Sequence, residues 1–292
     1  MHKFLLFSCL LLPVVAHAEE KPITPVPVST SQALIAPAKA TVTVWTNGLR
    51  APQGMTRDAA GNLYVAEFNG GQVSKFAPDG KLLGKLGDDL KSPAWIERVG
   101  NEIYVSERKA NRVLKLQADG TLQPLNGEVI EPLGLAASPN GDLLVIAHTT
   151  SRLLRYKNLN TAGEKSTPQA VYAALSEVGN RYGYRAVAID NDGIIYITDE
   201  IENAVLLLTP QGRMAVWAKD LDDPTAVVFS PDGTVYVAEE GAGRVSRLNA
   251  EGVATVVAEG LGQPRDIEFL DDKTMLVSDR QSGTIWKVEL PA

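Results

Sequence analysis

Cysteine is almost missing from this chain. The single one, Cys9, lies in an apolar run near the N-terminus, so no intramolecular disulfide can form and the core must hold the fold unaided. At 292 residues and 45% apolar content the chain is long enough for that. Histidine is nearly as scarce, at three residues. His2 and His17 lie in the leader and only His148 lies beyond it, which excludes a histidine-rich metal site. Aromatics make up 6%, and the formal charge is -7 with no basic stripe. A nucleic-acid partner is therefore not expected. No Walker loop, zinc-binding histidine pair or nucleophile elbow is present. No apolar run reaches the length of a membrane-spanning helix.

The longest such run, Phe4 to Val15 ("FLLFSCLLLPVV"), follows His2 and Lys3 and precedes Ala16-His17-Ala18. A short basic region, a twelve-residue apolar stretch and a small-x-small site read as a secretory signal over residues 1–18. Export to the periplasm or medium is the expectation, and the loss of Lys3 would make the mature chain one unit more acidic. Residues 19–40, with four prolines and no strong period, read as an extended linker.

From residue 41 onward the sequence repeats. "LYVAE" (Leu63 to Glu67), "IYVSE" (Ile103 to Glu107), "LLVIA" (Leu143 to Ala147), "IYITD" (Ile195 to Asp199), "VYVAE" (Val235 to Glu239) and "MLVSD" (Met275 to Asp279) end at intervals of 40, 40, 52, 40 and 40 residues. A strand-rich period near 40 is the pattern of propeller blades. The longer interval is assigned to an insertion in Lys157 to Leu175. Each unit reads as four strands, a to d, with a proline before strand a in every unit but the fourth. Strand b is the aligned block, apolar throughout because neighbouring blades would cover both its faces. Pairs such as Asp79-Gly80 and Asp119-Gly120 supply the positive φ of tight turns. The sixth unit ends at strand c, and "TVTVW" (Thr41 to Trp45) stands before the first unit. The expected fold is all-β: a six-bladed β-propeller of four-stranded blades over residues 41–292, closed by its N-terminal strand.

Antiparallel pairing puts the start of strand a and the end of strand b on one face of the disc. The residue after the proline, or its equivalent, is Gln53, Ala94, Leu133, Arg185, Thr225 and Arg265, and an offset of 14 pairs most of these with the last residue of strand b. That last residue is acidic in five of six units. A device repeated once per blade reads as a turn-holding acid, its carboxylate accepting backbone N–H bonds. The arginines stand in the two units that carry Asp, so Arg185–Asp199 and Arg265–Asp279 are candidate cross-strand ion pairs. What differs between blades is the candidate binding set: Gln53, Trp95, Tyr182, Tyr184, Arg185, Thr225 and Arg265. Two cations, two phenols and an indole suit a small anionic or sugar-like ligand. The alternative is that Trp95 packs in the core and the tyrosines cover the insertion. His148, on the same face, reads either as a general base or as an ordinary exposed histidine. Asp190 to Gly193 ("DNDG") reads as a plain turn rather than a calcium loop. Asp222-Asp223, Glu239-Glu240 and Asp271-Asp272 read as turn or solvated pairs.

The recurring proline, the Asp-Gly or Gly-Asn turn and the "LYVAE"-like block resemble NHL-type propellers and the senescence-marker/gluconolactonase group. The stretch "PQGMTRDAAGNLYVAEFNGGQVSKF" from Pro52 is similar to a blade of the lactonase-type enzymes, which hold a divalent metal at the channel with Glu, Asn and Asp. Here the corresponding place in the first blade is Gln53, a poorer ligand for a hard cation. The fourth blade begins with Tyr184 and Arg185 in place of Asn, and a guanidinium repels metal. The resemblance thus implies the fold but not the metal site, and no cofactor is expected. The repeat is similar to that of virginiamycin B lyases too, in which the resemblance implies a catalytic histidine, and His148 is the available one. The expectation is an exported propeller that binds a small anionic or sugar-like molecule, or a protein, at its channel mouth without catalysis. The alternative is a divergent lactonase or lyase.

Overall fold

The structure, a computed structural model, describes residues 40–157, 159, 166–172 and 183–291. Residues 1–39, with the leader and most of the linker, lie outside them. The described residues form six four-stranded antiparallel sheets. Blade 1 is β2 (Pro52–Arg57), β3 (Leu63–Glu67), β4 (Gln72–Phe76) and β5 (Leu82–Leu86). Blade 2 is β6 (Pro93–Val99), β7 (Glu102–Glu107), β8 (Arg112–Leu116) and β9 (Leu122–Pro124). Blade 3 is β10 (Pro132–Ala137), β11 (Leu143–Ala147), β12 (Arg152–Tyr156) and β13 (Gln169–Tyr172). Blade 4 is β14 (Tyr184–Ile189), β15 (Ile195–Asp199), β16 (Ala204–Leu208) and β17 (Met214–Ala218). Blade 5 is β18 (Pro224–Phe229), β19 (Val235–Glu239), β20 (Arg244–Leu248) and β21 (Ala254–Glu259). Blade 6 is β22 (Pro264–Phe269), β23 (Thr274–Asp279) and β24 (Thr284–Glu289), completed by β1 (Thr41–Thr46).

Each first strand touches the first strands of both neighbours, including β2 against β22, so the ring closes. The expected latch is present: β1 pairs antiparallel with β24, Val42 opposite Val288 and Val44 opposite Trp286. The seam between blades 6 and 1 is also fastened by side chains. Asp266 Oδ2 accepts the Met55 N–H at 2.7 Å, and Ser278 Oγ donates to the Gln53 carbonyl at 2.7 Å. Arg57 Nε donates to Glu268 Oε1 at 3.0 Å and its Nη2 to the Phe269 carbonyl at 2.5 Å. These bonds join residues more than 200 positions apart, which is the entropic difficulty that closing such a ring must overcome.

The second strands β3, β7, β11 and β19 are apolar along most of their length and buried at almost every position. Neighbouring sheets cover both faces, as the unbroken hydrophobic runs implied. The innermost strands pack so closely that a Cβ on Gly54 would come 2.7 Å from the Ile96 nitrogen, and one on Gly134 2.5 Å from the Arg185 carbonyl oxygen. Glycine at these points is a packing requirement. The lengthened interval is split by β13: the chain before it runs 157–168 and after it 173–183, against 77–81 and 87–92 in blade 1. Most of this extra length lies outside the described residues.

Candidate site at the channel mouth

One sequence-derived register needs correction. The residue facing the end of strand b is the proline, not the residue after it: Pro52 faces Glu67, Pro132 faces Ala147, Tyr184 faces Asp199 and Pro264 faces Asp279. A bulge follows in the first strand of all six blades, for example between Pro93 and Ile96 and between Pro224 and Ala226. The inserted residue shifts the ladder by one. It also releases the residues after the proline from regular pairing, so they turn toward the axis and the neighbouring blade.

The acids that close the second strands hold turns, as their once-per-blade recurrence implied. Glu67 accepts from the Arg50 amide at 2.7 Å and from Gln72 and Ser74. Glu107 accepts from the Lys91 amide and from Arg112. Glu239 takes the Asp222 amide and two bonds from Arg244. Asp279 accepts from the Gln263 and Gln281 amides, at 3.0 Å each. Glu67 therefore does not face the channel as a reactive group. Asp279 is occupied by its turn, and Arg265 pairs elsewhere.

A second tier lies one residue further along the chain, and of its members sequence reasoning took only His148 as a site candidate. The residues directly after strand b are Phe68, Arg108, His148, Glu200, Glu240 and Arg280. In all six blades the amide of this residue donates to the carbonyl of the residue before strand a: Phe68 to Ala51, Arg108 to Ser92, His148 to Glu131, Glu200 to Gly183, Glu240 to Asp223 and Arg280 to Gln263, at 2.9–3.2 Å. A six-fold backbone bond thus sets six side chains of four kinds in one tier around the mouth. The signal was available, because this column of the repeat varies in charge and size while the column before it is acidic in five of six blades.

Most contacts at this tier run from blade to blade, and Arg185–Glu200 lies within blade 4. Arg108 Nη2 meets Glu131 Oε2 at 3.2 Å. Arg185 pairs with Glu200. Arg265 Nη2 meets Glu240 Oε1 at 2.5 Å, and Arg280 approaches the same oxygen at 3.9 Å. Arg280 also lies over the Phe68 ring, 6.0 Å from its centroid, a cation–π distance. The arginines therefore pair with the residue after the strand-b acid rather than with Asp199 or Asp279. Glu240 is correspondingly no solvated surface acid, since its side chain is only 9% exposed. Burial and the nearby Arg185 lower the Arg265 pKa to about 10, so it stays cationic at neutral pH. Arg265 Nε and Asp223 Oδ1 are buried without a hydrogen-bond partner among the described residues. Such groups are costly unless something meets them.

His148 is not an exposed histidine; it is 8% exposed. Its Nδ1 lies 3.1 Å from the Tyr184 carbonyl oxygen. A carbonyl only accepts, so Nδ1 carries the proton and the basic lone pair is on Nε2. Burial lowers the His148 pKa, helped by the charges of Arg108 and Arg185 and opposed by this hydrogen bond and by Glu131. The imidazole is therefore neutral at pH 7.

The seven candidate residues do not form one cluster. Arg185 and Arg265 sit at the mouth, and buried Gln53 lies in the bulge of blade 1. Thr225 is buried, and its hydroxyl donates to the Pro264 carbonyl at 2.8 Å, a bond between blades. The Tyr184 ring is fully buried in an apolar cluster with Leu144, Ile146 and Ile197, so only its carbonyl reaches the mouth. Trp95 lines a cavity further down the channel. Tyr182 lies outside the described residues. Among the described residues no group of three or more His, Cys, Asp or Glu is arranged to hold a metal ion, and Gln53 and Arg185 stand where the lactonase-type blade pattern would call for ligands. The donor set does not fit the divalent metal of the lactonase-type enzymes. No helix among the described residues is long and apolar enough to cross a membrane.

Ring closure, four-stranded blades and a charged tier at one end of the channel define a six-bladed β-propeller with a polar mouth. Solved structures share that architecture. A gluconolactonase from Xanthomonas campestris superposes with a TM-score of 0.73 at 12% identity, covering 88% of this chain and 92% of that one. A streptogramin B lyase gives 0.65 at 14% identity over 86% and 98%. Virginiamycin B lyase from Staphylococcus aureus, in a catalytically inactive histidine-to-alanine form with quinupristin, gives 0.64 at 16% identity over 87% and 99%. At these identities the likeness establishes the fold. No family model and no curated protein matches the sequence.

Proposed function

We propose that this is an exported propeller enzyme that opens a small ester or lactone at the channel mouth by acid–base chemistry, without a metal. The observation that carries the reading is buried His148, whose Nδ1 meets the Tyr184 carbonyl and whose imidazole is kept neutral by burial and by the charges of Arg108 and Arg185. In this reading Nε2 takes a proton, either from an attacking water or from the carbon beside a carbonyl. Arg185 and Arg265 stabilise the negative charge that develops on oxygen. The unmet Arg265 Nε–H and Asp223 Oδ1 supply a donor and an acceptor for the substrate. Fold-level likeness to lactonase and lyase propellers agrees with this class but cannot choose between hydrolysis and elimination.

The test is turnover of a lactone and cyclic-ester panel by purified protein, with and without chelator. The expected result is turnover that survives chelation and is lost in His148→Gln. Chelator-sensitive turnover, or turnover unchanged in His148→Gln, would overturn the mechanism. No turnover, together with tight binding of an anionic ligand that Arg185→Gln abolishes, would return the protein to the binding class.

A further inference from the structure

The opposite end of the channel is a second, differently built site. A cavity of about 350 Å³ lies among the later residues of the inner strands, toward the turns that join strands a and b. Its wall is asymmetric. Blades 3, 4 and 5 present Ala136, Ala188 and Val228, whereas the same repeat position in blades 2 and 6 carries Glu97 and Glu268. Two positions earlier those two blades carry Trp95 and Asp266. Small side chains make the void, and acids and an indole face it from the other side.

The acids do not cancel one another's need for a cation. Glu268 is paired with Arg57 at 3.0 Å. Asp266 accepts two backbone amides, from Met55 and Ile267. Glu97 has no ion pair among the described residues; the nearby Arg98 is exposed and donates to the Gly100 carbonyl. Glu97 and Glu268 keep some contact with solvent but are surrounded by protein. Burial, with Glu268 and Asp266 as further causes, pushes the Glu97 pKa well up. Trp95 is 8% exposed, held by its amide to Ser106 Oγ at 2.8 Å, and lines the void rather than filling it.

We propose that this cavity binds a small organic ammonium ion, with the cation against the Trp95 indole and Glu97 as its counter-charge. An indole face attracts an organic cation, the size falls in the usual range for small-molecule pockets, and the described residues offer no cluster able to hold a metal there. Because binding draws the cavity acids toward their charged forms, it should release protons and tighten as pH rises.

The experiment is calorimetric titration of the full chain with n-butylamine and with tetramethylammonium, followed in parallel by tryptophan fluorescence. At least one cation should bind, with a proton released in buffers of different ionisation enthalpy. Glu97→Gln should weaken it at least about tenfold, and Trp95→Leu about threefold to thirtyfold. Ala137→Leu, which fills the cavity without touching a charge, should block binding in a folded protein. His148→Gln should leave it unchanged, which separates this site from the mouth. No binding of either cation, affinity unchanged in Glu97→Gln and Ala137→Leu, or displacement of the amine by calcium would overturn the proposal.

Discussion

The two ends of the channel are made by the same six inner strands, yet their chemistry is opposite. At the mouth, four arginines meet acids, three of them across a blade boundary, and one neutral imidazole lies near them. At the far end, three carboxylates share a cavity with one tryptophan, and among the described residues only Glu268 has an ion-pair partner. The difference comes from which repeat columns reach each end. At the mouth the variable column follows strand b, and backbone bonds fix it whatever side chain it carries. At the far end the variable columns lie within strand a, where a side chain must either fit between blades or leave a void. A repeat fold can thus vary both ends independently while the strand-b acids hold the turns of five blades.

The sharpest way to break the comparison is at His148. His148→Gln should lower kcat/KM on a lactone or ester by about 10² to 10⁴, with amine affinity at the far end unchanged. Equal loss at both ends would mean that the channel is one site. In the wild type, kcat/KM should fall in acid with an apparent pKa below 6.5, because burial depresses that of His148.

Asp266→Ala tests the far end for stability. It leaves the Met55 and Ile267 amides without their acceptor, and each unmet buried group costs about 1–3 kcal/mol. The urea midpoint should drop accordingly. Asp266→Asn keeps one of the two acceptors and removes the titrating proton. Burial raises the Asp266 pKa from 3.8 to about 8, so in that range the folded state holds a proton that the unfolded chain has released. The associated stability is full below the unfolded value and is lost as pH rises through about 8. Stability against pH between 4 and 8 should therefore slope downward in the wild type and be flatter in Asp266→Asn. The same slope in both proteins would refute the assignment.

The smallest effect is expected at the rim. Arg280 is partly exposed and only 3.9 Å from Glu240, so Arg280→Ala should cost no more than about 1 kcal/mol. A larger loss would mean that the charged belt supports the ring rather than the site.

Blade count, latch, strand identities and the structural role of the strand-b acids were all readable from the chain. Each rests on local periodicity repeated six times, so an error in one unit is corrected by the other five. The site was less readable. Tyr184 and Thr225 share the start of strand a with Arg185 and Arg265, but the bulge and the neighbouring blade turn the tyrosine ring into the core and engage the threonine hydroxyl. Trp95, grouped with the mouth by its place in the repeat, lines the cavity toward the opposite end.

The sequence alone determined that six similar units must close on themselves, because the last lacks an outer strand that Thr41 to Trp45 can supply. Only the tertiary structure decided which residues meet. Glu240 is adjacent in sequence to a turn-holding acid, yet it pairs with Arg265 of the next blade. Asp266 reaches the Met55 amide across the closure of the ring. Such contacts depend on how blades lean on one another, and a pattern repeated within each blade carries no record of its neighbour.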